Sequence, residues 1–190
     1  MRALLLSPMI RKEHLMNKKR EGFTLLEMVI VVTIIALLLW TVAPRYFESV
    51  QEAKQTMTMK DIGVLADACY KYILDNDEAP PQAGPLTPNN PFVKAIASKY
   101  LTECPLTDKW KNPLVIYTGV EAAHHLGISS DKARKEDFLI ISYGHDNKPD
   151  EGFQYNPENP DAGRYKVANK DDFSNDIINF NRLWIRAPLK

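Results

Sequence analysis

The chain has 190 residues, 24 Lys+Arg against 24 Asp+Glu, with 45% hydrophobic and 25% charged residues, enough for about one to one and a half ordinary domains. A formal net charge of zero excludes a generally basic nucleic-acid binder and an acidic disordered tail protein, so no nucleic acid is expected as a partner. Two cysteines are too few for a disulfide scaffold or a four-cysteine zinc site.

The charge is unevenly distributed. Residues 1–22 carry a net +4 and the remainder −4. The basic head directly precedes Phe23–Ala43, 21 residues with Glu27 as the single ionisable group. As a helix this run is roughly 31 Å long, enough to cross a bilayer core. Positive charge on its N-terminal flank predicts a cytoplasmic N-terminus, with the bulk of the chain outside. A removable signal peptide would need a small-residue cleavage site after the apolar run, and none follows it. A simple anchor would not need Glu27, which costs about 2.5–3.5 kcal/mol in lipid on insertion scales.

The segment Lys18-Lys19-Arg20-Glu21-Gly22 followed by Phe23-Thr24-Leu25-Leu26-Glu27 resembles the type IV prepilin class, which includes the pseudopilins of type II secretion. The resemblance implies cleavage after Gly22 by a prepilin peptidase on the cytoplasmic side and methylation of the new N-terminal Phe23. Met16 would begin a typical short leader, whereas one starting at Met1 would be long. Glycine lets an extended backbone lie close against a protease cleft. Glu27 lies four residues from Phe23 on the same helical face, within reach of its new amine. The resemblance favours pairing with the amine of a neighbouring subunit, which gives Glu27 an assembly role.

Downstream the helix is expected to continue, kinked or opened at Pro44, which removes a backbone donor and crowds the preceding turn. Phe47, Val50, Ala53 and Met57, then Ile62, Leu65, Ala66, Cys69 and Ile73, recur at three- and four-residue steps. They predict an amphipathic helix whose second half lies on a globular head. Asp75-Asn76-Asp77 and Pro80-Pro81 end it. Asn90-Pro91 begins a short helix through Tyr100. Leu114–Tyr117 and Phe138–Ser142 read as antiparallel strands covered by the long helix. The stretch between them is a loop with a helical turn, whose His124 and His125 are read as solvated.

Pro105-Leu106-Thr107-Asp108-Lys109-Trp110-Lys111-Asn112-Pro113-Leu114 is similar to a signature of the major pseudopilin of type II secretion. Asp108, Trp110, Asn112 and Pro113 match, while Lys111 stands for a glycine and Leu114 for an aromatic residue. From Gly144 to Asp176 run 33 residues with eight carboxylates and little periodicity. Such a stretch in a small head calls for a functional loop, disorder or a ligand. A hard dication would offset the carboxylate repulsion. The flanks Ser142-Tyr143-Gly144-His145-Asp146 and Ser174-Asn175-Asp176-Ile177 resemble the calcium loop of major pseudopilins. That implies Asp146 and Asp176 as side-chain ligands, with the Tyr143 carbonyl and Asn175 as weaker ones. Cys69 and Cys104 would form a helix-to-loop disulfide outside the cytoplasm, or Cys69 is an ordinary buried thiol.

The expectation is therefore a pilin-like α+β fold, a long N-terminal helix on a small antiparallel sheet. It divides into a basic leader 1–22, a transmembrane and filament-core helix 23–43, its amphipathic continuation 44–78, and a periplasmic head 79–190 with an acidic loop 144–176. No nucleophile–base set, phosphate loop or HExxH motif suggests an enzyme. The resemblance implies a major pseudopilin in the bacterial inner membrane that polymerises with its own kind into a periplasmic filament. Its implied partners are the type II secretion inner-membrane platform, minor pseudopilins and the secretin. The alternative is a minor or fimbrial pilin with a binding head.

Overall fold

The computed structural model describes residues 22–97 and 99–189. The expected leader, including Met16 and Lys18–Glu21, lies outside the described residues apart from Gly22. The chain divides between Ala43 and Pro44 into two compact units. In the first, the long helix α1 (Leu25–Asn76) begins with a capping box. Thr24 N and Oγ1 donate to Glu27 Oε2 at 2.8 Å each, and Glu27 N donates to Thr24 Oγ1 at 3.2 Å. Two orphan donors at the helix start are thereby satisfied. An 18-residue window of α1 near its start has mean hydropathy 2.6, with none of it buried. Pro44 lies inside α1.

In the second unit, α1 closes where Asp77 adopts φ 57° and its N–H donates to the Ile73 carbonyl at 2.8 Å. Five strands follow: β1 (Ala83–Pro85), β2 (Val115–Thr118), β3 (Phe138–Ser142), β4 (Ile177–Phe180) and β5 (Leu183–Arg186). They form one antiparallel sheet in chain order, with Ile116 opposite Ile140 and Ile141 opposite Ile178. The two expected strands are β2 and β3. Strands β1, β4 and β5 were not foreseen. Short helices α2 (Pro91–Ile96) and α3 (Val120–His125) occupy the connections.

Side chains alternate across the sheet, and both faces are covered. Ile116, Phe138, Ile140 and Ile177 pack on Ile62, Leu65, Ala66 and Cys69 of α1. Val115, Leu139, Ile141, Ile178 and Ile185 pack on Ala122 and Leu126, joined by Phe153 and Tyr155 from the acidic loop. Each fully buried Ile or Leu contributes about 1.5–3 kcal/mol. The loop is therefore a lid on the second sheet face, which explains its length.

The expected apolar row of α1 holds only in part. Ile62, Leu65, Ala66 and Cys69 are buried, but Phe47 and Met57 are 60% and 54% exposed and Ala53 is exposed. The core-facing row there runs instead through Gln51, Gln55 and Thr58. These polar groups bond the head: Trp110 Nε1 donates to Gln51 Oε1 at 2.6 Å, Gln55 Nε2 to Tyr165 Oη at 3.2 Å, and Lys109 N to Thr58 Oγ1 at 3.1 Å. Hydrophobic periodicity cannot see a face built from hydrogen bonds. Asn90 holds the N-cap position of α2 with Pro91 in the first turn, but its side chain makes no cap bond: Nδ2 donates instead to Gln82 Oε1 at 2.9 Å, tying the loop to the edge of β1.

Candidate functional site

Gly22 and Phe23 precede the helix and are exposed, Phe23 at 80%. Nothing crowds Gly22: a Cβ built there meets no atom within 4 Å. The peptide bond after Gly22 lies one residue before the helix cap. Glu27, read as a partner for an amine, already has a partner in its own chain, the Thr24 end of the capping box. That role was legible in the Thr-x-x-Glu spacing and was missed. Beyond it, Leu25 to Val42 present large apolar side chains to the outside.

In the head, the proline-bounded Trp110 segment is an anchor for the sheet. Asp108 is 3% exposed, and its carboxylate accepts three hydrogen bonds: from Trp110 N and Asn112 N at 2.9 Å each, and from Ser142 Oγ at 2.8 Å. Asn112 Nδ2 donates to the Gly144 carbonyl at 2.7 Å. Gly144 has φ 63°, and a Cβ there would lie 2.7 Å from the Ser174 carbonyl oxygen. Only glycine lets the two ends of the acidic loop meet so closely. His145 N then donates to the Phe173 carbonyl at 2.9 Å. The segment around Trp110 thus sets the place where the loop begins and ends.

The loop itself is stitched to its surroundings. It contains two short 3₁₀ turns, Pro160–Gly163 and Lys170–Ser174, the second with a capping box between Asn169 and Asp172. Tyr165 N donates to the Ala187 carbonyl at 3.1 Å, and Leu189 N to the Tyr165 carbonyl at 2.7 Å. At its heart, Asp150 and Asp176 exchange hydrogen bonds: each backbone N–H donates to the other's Oδ2 at 2.9 Å. Arg186, on β5, reaches Asp150 Oδ2 with Nε at 2.7 Å and Nη2 at 2.6 Å, and Asn175 Oδ1 with Nη2 at 3.3 Å. Asp176 is 4% exposed, and its Oδ1 has no hydrogen-bond partner. Burial pushes its carboxyl up to about 7. The Asp150 and Asp146 charges add to the rise, while the Asp150 N–H and Arg186 oppose it.

Of the expected calcium ligands, Asp146 and Asp176 are close enough for their charges to interact. Asp146 is exposed, and its Oδ1 accepts from Lys148 N at 3.2 Å. Asn175 is engaged by Arg186, and Tyr143 is half-buried on the second sheet face. Asp150 and Arg186, which complete the patch, were missed, because nothing in a non-periodic stretch says which carboxylate turns inward. Among the described residues no three His, Cys, Asp or Glu side chains gather as a metal-holding group. What the patch offers a cation is Asp176 Oδ1 and a formal charge of −2, from three carboxylates and one guanidinium. That donor chemistry suits a hard dication.

Cys69 is buried and Cys104 half-buried against the same core cluster, and both thiols are free. Burial pushes both thiols up, which keeps them protonated and slow to react. His124 shares a hydrogen bond of 2.8 Å with Ser130 Oγ, and the exposed His125 stacks on Tyr117 with ring centroids 3.5 Å apart.

Comparison with known proteins bears on the helix start. Residues 17–43 match the prokaryotic N-terminal methylation motif. Its N-terminal segment is therefore prepilin-like. It is similar to the type II secretion system core protein G of Aeromonas hydrophila, 38% identical over 66 residues. Those residues are 34% of this chain and 46% of that relative, so the match spans less than half of either. No solved structure matches. The pilin-like α+β reading agrees with the architecture found, a long apolar N-terminal helix with a five-stranded antiparallel sheet.

Proposed function

We propose that the chain is a major pseudopilin, a structural subunit of a type II secretion filament. One observation carries this reading: a methylation motif at 17–43 sits on an apolar helix start with none of its most hydrophobic window buried. Apolar surface of that extent needs a lipid bilayer or other copies of the same helix around it. A prepilin peptidase would cut after Gly22 and leave Phe23 as a methylated amine. The +4 flank would keep that end cytoplasmic and the head periplasmic. The subunit would be held in the inner membrane by α1, then extracted by the secretion platform and added to a filament beneath minor pseudopilins and the secretin. In the filament Glu27 would meet the Phe23 amine of a neighbour, where breaking a desolvated pair costs about 3–5 kcal/mol.

Calcium belongs to the same proposal. Bound at the acidic loop it would supply positive charge to Asp176 and Asp146. The support is the buried, unpartnered Asp176 Oδ1 together with the surplus negative charge.

The test is N-terminal sequencing and filament isolation for the wild type, Gly22→Val and Glu27→Ala. Wild-type chains should start at N-methylated Phe23, and Gly22→Val should yield none. Glu27→Ala should insert and be cleaved, yet enter filaments at less than a tenth of the wild-type yield. Mature chains beginning beyond Ala43 would show a signal peptide instead. Wild-type yield for Glu27→Ala would show that the carboxylate does no more than cap its own helix.

A further inference from the structure

A cation from the sheet already reaches into the acidic loop. We propose that Arg186 is a resident counter-ion that locks the loop to the sheet without a metal, so that calcium adds to a head already closed. This goes beyond the filament reading and does not depend on it.

Four observations converge on Arg186. Its guanidinium makes two short contacts to one oxygen of Asp150, at 2.7 and 2.6 Å, with both side chains about one-fifth exposed. It also reaches Asn175 Oδ1, next to Asp176, so it joins an early and a late part of the loop. Asp150 and Asp176 are themselves joined by the exchanged backbone bonds. Finally, the guanidinium lies over the rings of Phe153 and Tyr165, 5.2 and 5.6 Å from their centroids. Phe153 belongs to the lid on the second sheet face. Tyr165 accepts a hydrogen bond from the buried Gln55 of α1.

One side chain on β5 therefore ties together the loop's early part, its late part and, through Tyr165, the long helix. A planar, always-charged group is suited to this, because it can bond carboxylate and amide in its plane while stacking on aromatic faces. A lysine could supply the charge but not the plane. The lock also engages Asp150 Oδ2, so Arg186 competes with any dication for that carboxylate. Removing it leaves the Asp150 carboxylate, joined to Asp176 by the exchanged backbone bonds, without its counter-charge, so a dication has more to gain there.

The experiment melts the full-length chain in detergent, in chelator and in millimolar calcium, and follows cleavage of the 144–176 loop by a glutamate-specific protease. The variants are Arg186→Gln, Arg186→Lys and Asp150→Asn/Arg186→Gln. In chelator the wild-type loop should resist the protease. Arg186→Gln should melt lower by roughly 5 °C or more and be cut within the loop. Arg186→Lys should recover only part of the loss, and the double variant should be more stable than Arg186→Gln alone, because it no longer strands a charge. Calcium should raise the melting point of Arg186→Gln more than that of the wild type. Two results would overturn the lock: Arg186→Gln melting and resisting protease like the wild type in chelator, or a wild-type loop that is cut in chelator and protected only by calcium. Neither depends on processing or filament formation, so failure of the lock and failure of the filament reading are read separately.

Discussion

Lys111 sits at φ 74° in the turn that follows Trp110, in the left-handed region where a side chain costs about 1–2 kcal/mol. The pseudopilin signature has glycine at this place, and the backbone angle shows why. Lys111 is exposed, while its neighbours Asp108 and Asn112 fix the turn through the Asp108 carboxylate. The chain therefore keeps the turn and carries the strain. Lys111→Gly should relieve it, less about 0.5–1 kcal/mol for the added freedom of the unfolded chain. A net gain of about 0.5–1 kcal/mol in urea unfolding is expected. A loss would mean that the lysine side chain contributes something its exposure does not show. The departure from the signature was legible in the sequence, but its cost was not, because a backbone angle is set by the bonds around Asp108. Glu27 shows the converse: its capping role lay in a three-residue spacing and needed no structure to find.

At the scale of elements, the long helix presents two different surfaces within the head. Ile62 is fully buried in the main core, whereas Met57, barely more than a turn away, is 54% exposed. Sequence periodicity put both on one inward face. It succeeded where the contacts are apolar and failed where Gln51, Gln55 and Thr58 turn inward to bond Trp110, Tyr165 and Lys109. In the proposed filament the exposed apolar side chains would face neighbouring copies. Ile62→Ala should cost about 2–5 kcal/mol by cavity formation, read as a lower denaturation midpoint of the full chain. Met57→Ala should leave that midpoint within about 0.5 kcal/mol and reduce filament yield. Equal destabilisation by the two would place Met57 in the core. The strands divide in the same way. β2 and β3 are continuous β-branched or apolar runs and were legible. β4 and β5 were not, because they meet through Asn181-Arg182, both with positive φ, in a place where Asn-Gly is the recognisable hairpin signal.

For the whole molecule, the acidic loop decides whether the head answers to its surroundings. The sequence showed that the loop is acidic and long, and its flanks suggested a dication. The sequence could not show that the loop covers a sheet face with Phe153 and Tyr155, or that Arg186 supplies part of the missing positive charge. Both follow from long-range placement that local pattern does not encode. A ligand that binds only the folded head stabilises it by RT ln(1 + [L]/Kd). Extracellular calcium modules work at about 10⁻⁴–10⁻³ M, so 1 mM calcium should contribute only about 0.4–1.4 kcal/mol. For a domain of this size that raises the melting temperature by roughly 1–5 °C over chelator. Asp176→Asn removes the charge beside the unpartnered oxygen and should abolish most of the rise. Asp161→Ala, on a 3₁₀ turn of the same loop, should leave it intact. Magnesium should give less than calcium at equal concentration, since it sheds water reluctantly and demands a stricter octahedron. Superimposable melting curves in calcium and chelator for the wild type would remove calcium from the proposal and leave the loop held by Arg186 alone.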